Sequence, residues 1–231
     1  MKNIEYTKMA YLYDDFYSKK DYSKEVNFIK HFAKKETSKI LDAGCGTGRH
    51  SKILFDNGFF VKGFDLSEDM VNIANSKIPD HFFVDNLLHF SSTEKFDLVV
   101  SFFAVFNHLK NYKEFGVALL NLKNALNKCG TIIIDLHNPQ ASGTKTEKIN
   151  AASRTMTWRK CRLFKKEYTK ITYIVDGKRF ETQHTFKIFE IKKLKSLALR
   201  LGFSSVNFYE NYNIEKQATS KSKNIQMVVS I

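Results

Sequence analysis

The sequence predicts a doubly wound α/β fold: a mostly parallel seven-stranded sheet with an antiparallel β insertion forming a lid. Three observations carry that expectation. Apolar runs of strand length alternate with helix-period segments from residue 39 to residue 136, the pattern of stacked strand–helix–strand units. A turn with glycines at alternate positions, Gly44, Gly46 and Gly48, joins the first of those strands to the helix after it. Residues 138–188 then lose helical periodicity and fill with threonines, aromatics and basic side chains.

The elements follow in order. Residues 8–18 place Met9, Leu12, Tyr13, Phe16 and Tyr17 at helical spacing. Lys20-Asp21 breaks the pattern, and Asp21 is the expected cap of a second helix with Val26, Ile29, Phe32 and Ala33 on one face. The two helices together fill residues 8–35. Strands are expected at 39–43, 59–65, 82–84, 96–103 and 131–136. The fourth is almost wholly apolar, as a strand covered on both faces must be. Ser67 caps a helix whose first turn carries Glu68 and Asp69, charges that complement its dipole. Further helices span 112–127, closed by Asn127-Lys-Cys-Gly130, and 190–201, stopped by Gly202. Residues 171–175 and 179–186 read as a hairpin around Asp176-Gly177, and 205–209 with 225–231 as a closing antiparallel pair. With no repeat or linker, residues 1–231 read as one domain, with 138–188 inserted over the substrate site.

Composition narrows the class. A hydrophobic content of 43% and 14% aromatic residues exclude a disordered chain. No apolar run approaches the ~20 residues of a membrane span. The first residues lack a signal-peptide core, so a cytoplasmic protein is expected. Cys45, Cys129 and Cys161 stand alone, and His31, His50, His81, His89 and His184 show no ligand spacing, so no metal is expected. The net charge of +13, densest just after Trp158, leaves three readings open: a solvated lysine-rich surface, a phosphate-bearing small substrate, or RNA.

The glycine spacing bears on the cofactor. A dinucleotide fingerprint is Gly-x-Gly-x-x-Gly; here the third glycine comes one residue early and Arg49 stands in its place. Asp42, just before the glycines, would repel a pyrophosphate but suits a positively charged centre. Gly44 and Gly46 would let a ligand approach the backbone. Asp65, ending the second apolar run, would present its carboxylate to a ribose diol, helped by the Leu66 backbone. Asp85 and Asn86 would meet an adenine edge; a helix cap or turn is the other reading of Asp85. Phe102 would lie beside the cofactor or simply in the core. Ligands of open α/β sheets sit beyond the carboxyl ends of the strands, so residues 101–109 point at the reacting centre. His108 is the candidate base there, against a capping or packed histidine, and His137 and Asn138 are further substrate candidates.

Leu-Asp-x-Gly-x-Gly-x-Gly followed by an acid after the next strand resembles the class I S-adenosylmethionine (SAM) methyltransferases, with their Rossmann-like fold. Three further motifs narrow the likeness: Leu12-Tyr13-Asp14-x-x-Tyr17, then Lys20-Asp21-Tyr22, then Leu66-Ser-Glu-Asp-Met70. Together they look like the nucleotide-linked amino-sugar N,N-dimethyltransferases and related small-molecule enzymes, most closely over residues 6–136. The resemblance implies SAM as cofactor and Tyr17 at the active site near it. The Asn107-His108-Leu109 segment would approach the acceptor amine, with the insertion as an antiparallel layer above; Tyr13 is a further substrate candidate, and the other reading of Tyr13 and Tyr17 is as core aromatics of a helix. The expected reaction is direct attack by a neutral nucleophile on the methyl carbon, with His108 taking the proton and Tyr17 shaping the site. The expected partner is a small molecule, with a phosphate-bearing one left open, rather than nucleic acid or a membrane; a homodimer is one arrangement left open, since the sequence does not fix the oligomeric state. The alternatives are an RNA methyltransferase and a non-catalytic SAM-binding protein. The first lacks the Asp/Asn-Pro-Pro-aromatic run after the fourth strand, where Phe103-Ala-Val-Phe-Asn-His stands instead.

Overall fold

The computed structural model describes residues 13–17, 20–33, 38–139, 141–149, 152–161 and 163–231. Met9 and Leu12 of the expected first helix lie outside the described residues; residues 13–16 form a helical turn, and α1 is Ser23–Phe32. Asp21 does not cap α1. Its Oδ1 accepts the Ser23 N–H at 2.9 Å, a local Asx-type turn, and the cap position falls to Tyr22 with no side-chain bond.

The strand–helix alternation builds the main sheet. β1 (Lys39–Ala43) leads through the glycine turn into α2 (Arg49–Asp56), and β2 (Phe60–Asp65) leads into α3 (Glu68–Lys77). β3 (Phe82–Val84) and β4 (Phe96–Ser101) follow, then a 3₁₀ turn at Val105–His108, α4 (Tyr112–Asn124) and β5 (Leu126–His137). After the insertion come α5 (Ile191–Arg200), β10 (Ser205–Glu210), β11 (Asn213–Gln217) and β12 (Asn224–Ser230). The strand order is β11-β10-β12-β5-β4-β1-β2-β3. Neighbours from β5 to β3 run parallel, and β12, β10 and β11 are antiparallel.

The seven expected strands are all present, and β11 is an eighth. Its five residues are all exposed, so no apolar alternation marks it in the sequence. A two-residue turn creates it: Asn211 (φ 55°) and Tyr212 (φ 59°) both adopt left-handed backbone, the geometry that folds a strand tightly back on itself. The helix expected over 112–127 ends at Asn124, because Leu126 already pairs with Phe96 in β5. The pairing is irregular up to Leu98↔Thr131, and Cys129 within it has a φ of 62°. A Cβ on Gly130 would stand 2.9 Å from the Asn127 carbonyl, which fixes glycine there.

Alternation along the strands divides the core. Ile132 and Ile134 pack with Leu41, Val99, Phe106, Phe115 and Leu119 on one face of the sheet. Ile133 packs with Val26, Ile29, Ile40, Leu54 and Val100 on the other. Ser67 caps α3 as expected, accepting the Met70 N–H at 3.4 Å.

Residues 143–187 form a second sheet, β6 (Gly143–Ile149), β7 (Ala152–Cys161), β8 (Lys166–Val175) and β9 (Lys178–Lys187), wholly antiparallel and in sequence order. The hairpin expected around Asp176-Gly177 is the β8–β9 turn, with Val175 opposite Lys178. Asn107 ties this sheet to the main one: its Nδ2 donates to the carbonyls of Lys187 (2.7 Å) and His137 (3.0 Å). Among the described residues, no helix is long and apolar enough to cross a membrane.

Candidate functional site

The glycine turn at the end of β1 is bound to its neighbour strand. The N–H groups of Gly44 and Cys45 both donate to the Phe64 carbonyl, at 2.8 and 2.9 Å. Gly44 needs its left-handed backbone (φ 81°), and a Cβ there would lie 2.7 Å from both Val105 methyls. Gly46 differs: no atom lies within 4 Å of its Cβ position, so it borders open space.

Asp65, at the end of β2, faces that space. Its Oδ2 accepts the Gly46 N–H and its Oδ1 the Ser67 N–H, each at 2.9 Å. Burial pushes its carboxyl upward, against the N–H bonds of Ser67, Gly46 and Leu66. Asp42 lies beneath, 3% exposed, accepting the Ser51 hydroxyl at 2.6 Å. Burial lifts its carboxyl to about 7, opposed by that hydroxyl and assisted by Asp65. Leu66 is exposed on the rim. The Asp85 N–H donates to the Asp65 carbonyl at 3.1 Å, which sets Asp85 and Asn86 beside the same crevice end. Their side chains close local turns, Asp85 Oδ1 accepting from the Asn86 N–H and Asn86 Oδ1 from the Leu88 N–H.

Phe102 is buried, stacked on Tyr212 at 5.9 Å and tilted against the His50 ring at 5.1 Å, and borders the crevice as well as the core. His50 has no hydrogen-bond partner for its Nε2, and burial lowers its pKa to about 3. The nearby Glu25, also buried, meets Lys20 with one oxygen and leaves the other unpartnered. Neither residue is flagged by spacing in the sequence.

A clasp from the N-terminal turn crosses the glycine loop. Asp14 accepts from Thr47 and Lys77 and from Arg49 Nε at 2.9 Å, and the Arg49 guanidinium also reaches the Asp14 carbonyl at 2.6 Å. Burial works to raise the Asp14 carboxyl, but the bonds from Lys77, Thr47 and Arg49 prevail and hold it low. Under the clasp the enclosed crevice, bordered by Tyr13, Tyr22 and Thr47, measures about 40 Å³.

At the end of β4 the backbone turns through two left-handed residues, Phe103 (φ 57°) and Ala104 (φ 59°). Bulky residues rarely accept that conformation, and such strain gathers where a chain is held for function. Phe103 borders three spaces: the crevice, a cavity of about 400 Å³ lined by Glu25, Asp135 and Tyr212, and a cavity of about 640 Å³ beneath the second sheet. The larger one gathers Tyr13, Tyr17, His108 and His137 from the main domain with Trp158, Glu167, His184 and Phe186 from the second sheet. Tyr17 packs 5.4 Å from Phe103 and 4.6 Å from Tyr13, and the Arg154 guanidinium covers its ring at 4.7 Å. The burial of Tyr13 keeps its hydroxyl protonated, well above the usual tyrosine range.

His108 opens into the large cavity, walled by Phe186 at 4.6 Å and His184 at 5.6 Å between ring centroids. Those walls, with His184, pull it down to about 4. Asn107 and Asn138 are buried and serve the framework: Asn107 joins the sheets, and Asn138 donates to the carbonyls of Ser220 and Ser222 at 3.1 and 2.8 Å. The side chain of His137, by contrast, reaches the cavity and meets Glu167.

The residues fit a nucleoside carrying a cationic centre. The open backbone at Gly46, a carboxylate at the end of β2 held by two N–H groups, and the buried Asp42 are the donor set such a ligand requires.

Comparisons with known proteins agree with the geometry. A family model described as a methyltransferase domain matches residues 40–130. The chain is 32% identical over 132 residues to dTDP-3-amino-3,4,6-trideoxy-alpha-D-glucopyranose N,N-dimethyltransferase of Streptomyces venezuelae, covering 54% of this chain and 56% of that protein. It is 34% identical over 137 residues to an uncharacterized methyltransferase of Alkaliphilus oremlandii (strain OhILAs), covering 58% and 62%. The chain thus spans little more than half the length of these relatives. Among solved structures, an S-adenosylmethionine-dependent methyltransferase from Clostridium acetobutylicum ATCC 824 superposes with a TM-score of 0.81 at 19% identity, over 98% of both chains. Residues 40–130 thus match the model of a methyltransferase domain, and the chain carries the fold of the S-adenosylmethionine-dependent methyltransferases.

Proposed function

We propose that the chain is a SAM-dependent methyltransferase whose acceptor is a small-molecule amine, and that the main sheet and the β6–β9 layer act as one catalytic domain. The observation that carries this reading is the Asp65 carboxylate, fixed by Gly46 and Ser67 at the mouth of the glycine crevice. That crevice shares Tyr13 and Phe103 with the covered 640 Å³ cavity. The amine is favoured because the Streptomyces venezuelae relative is named as an N,N-dimethyltransferase of an amino sugar.

Asp65, Gly44 and Gly46 would hold the nucleoside, with Asp85 and Asn86 at its base and Asp42 toward its cationic end. When bound, SAM supplies a methyl group made electrophilic by the sulfonium. The chain's part is to place a neutral nucleophile in line with it and to exclude water. His108, pulled to about 4, stays uncharged at neutral pH and offers a ring nitrogen that accepts a hydrogen bond from the incoming amine. Tyr17 and Phe103 form the wall between cofactor and acceptor.

The test joins two measurements. Calorimetry on the full chain reads SAM and its demethylated product, and a labelled-methyl screen over amines, amino acids and nucleotide sugars reads product mass. Binding plus label on an amine is the expected result. A folded chain with no affinity for either cofactor form ends the proposal, and label appearing on oxygen alone removes its amine half.

A further inference from the structure

On β8 of the second sheet stands a carboxylate with no role in the cofactor crevice. Glu167 is 3% exposed although it borders the large cavity. A carboxylate so far from water carries a desolvation cost that hydrogen bonds must offset. Glu167 has two partners: the Thr169 hydroxyl donates to Oε1 at 2.8 Å, and His137 Nε2 lies 3.3 Å from Oε2. His137 comes from the other sheet, at the end of β5. Its backbone is gripped on both sides by Asn107, whose Oδ1 accepts its N–H at 2.9 Å and whose Nδ2 donates to its carbonyl at 3.0 Å. The ring is thereby aimed, and the bond on one nitrogen decides the state of the other. With Nε2–H directed at Glu167, Nδ1 keeps its lone pair. Among the described residues none bonds to Nδ1.

The rest of the wall is of a different kind. Met156, Trp158, Ile171 and Phe186 give the cavity an apolar, largely aromatic lining. The cations among the described lining residues are Lys145 and Lys223, and Lys145 is engaged by Glu147 at 2.6 Å. Among the described lining residues none offers the forked arginine donors that suit a diphosphate.

We infer that Glu167 and His137 form the amine-receiving end of the acceptor cavity, and that the acceptor is an amine on an apolar or aromatic body without a phosphate group. The inference rests on the methyltransferase reading. The ammonium form of the acceptor is drawn to the Glu167 carboxylate. Its N–H proton passes to His137 Nδ1, which leaves the nitrogen lone pair free and an imidazolium facing Glu167. Glu167 acts through His137 as a positioning residue and a charge partner. The apolar wall takes the remainder of the molecule, in a cavity of the size that holds ligands of this kind.

The test is calorimetric titration of the full chain, with and without the demethylated cofactor. The probes are 2-phenylethylamine, cyclohexylmethylamine and hexylamine, each beside its matching alcohol, with thymidine diphosphate as the nucleotide probe. Expected are binding of at least one amine about tenfold or more above its alcohol, and loss of that margin in Glu167→Gln. His137→Asn is expected to weaken the same amine. Unchanged affinity for the demethylated cofactor shows that both variants fold. Equal binding of amine and alcohol, no amine binding, an unaffected Glu167→Gln, or tighter binding of thymidine diphosphate overturns the inference. A chain that takes an amine but no cofactor overturns the methyltransferase reading instead, so the two failures are told apart.

Discussion

Single residues divide the glycine loop into a part that supports the fold and a part that meets ligand. Gly44→Ala would place a Cβ 2.7 Å from both Val105 methyls on a left-handed backbone. The expected cost is about 2–4 kcal/mol of stability, read as a lower denaturant midpoint. Gly46→Ala meets no atom but must hold a left-handed backbone (φ 54°), so stability should fall by about 1–2 kcal/mol, less than at Gly44, and cofactor affinity should drop as well because the methyl group enters the crevice. Asp65→Asn removes the charge offered to the ribose, with an expected loss of about 10- to 100-fold in cofactor affinity by calorimetry. Asp42 adds a pH dependence. Its folded pKa of about 7 lies above the ordinary value of ~3.9, so the protein holds a proton there that a cationic ligand would expel. SAM affinity should therefore rise as pH increases through 7, and the rise should vanish in Asp42→Asn.

Among the elements, the N-terminal turn and the glycine loop are held together by one carboxylate. Asp14 joins Thr47, Arg49 and Lys77 beside the glycine crevice. Exchange of a cofactor through this crevice is expected to depend on the clasp. Asp14→Asn gives up two charged partners at a carboxylate only 16% exposed, so a moderate loss of stability is expected. Its effect on exchange should be larger: stopped-flow measurement is expected to show faster association and dissociation of the demethylated cofactor, and unaltered rates would deny the clasp this role. The same scale explains which elements were legible. β1, β3 and the α3 cap follow from apolar runs and a serine at the right offset. The end of α4 does not, because Leu126 suits a helix face and a buried strand equally and only pairing with Phe96 decides.

For the molecule as a whole, burial of polar groups beneath the site ties stability to pH. His50 is held uncharged with a pKa of about 3, against ~6.5 in the unfolded chain. Between those values the unfolded state binds the extra proton, so stability is full above about 6.5 and is lost as the pH falls toward 3. His108 and His184 are depressed in the same direction. The melting temperature should fall between pH 7 and pH 5, and His50→Leu should flatten that acid limb; an identical slope in the variant would assign it elsewhere.

The linear chain determined the strand–helix alternation, the glycine turn and the acid after β2, because each depends on local backbone geometry and on a period of 2 or 3.6. It also marked residues 138–188 as antiparallel, through lost helical spacing. Tertiary structure alone decided what surrounds each polar group. Glu25 and His50 form an unmatched buried pair because two helices meet, Phe103 becomes the partition of three spaces because β4 ends in left-handed backbone, and Glu167 finds His137 across two sheets thirty residues apart. Charge state and catalytic competence depend on desolvation and on partners distant in sequence, and neither leaves a periodic trace in the order of residues.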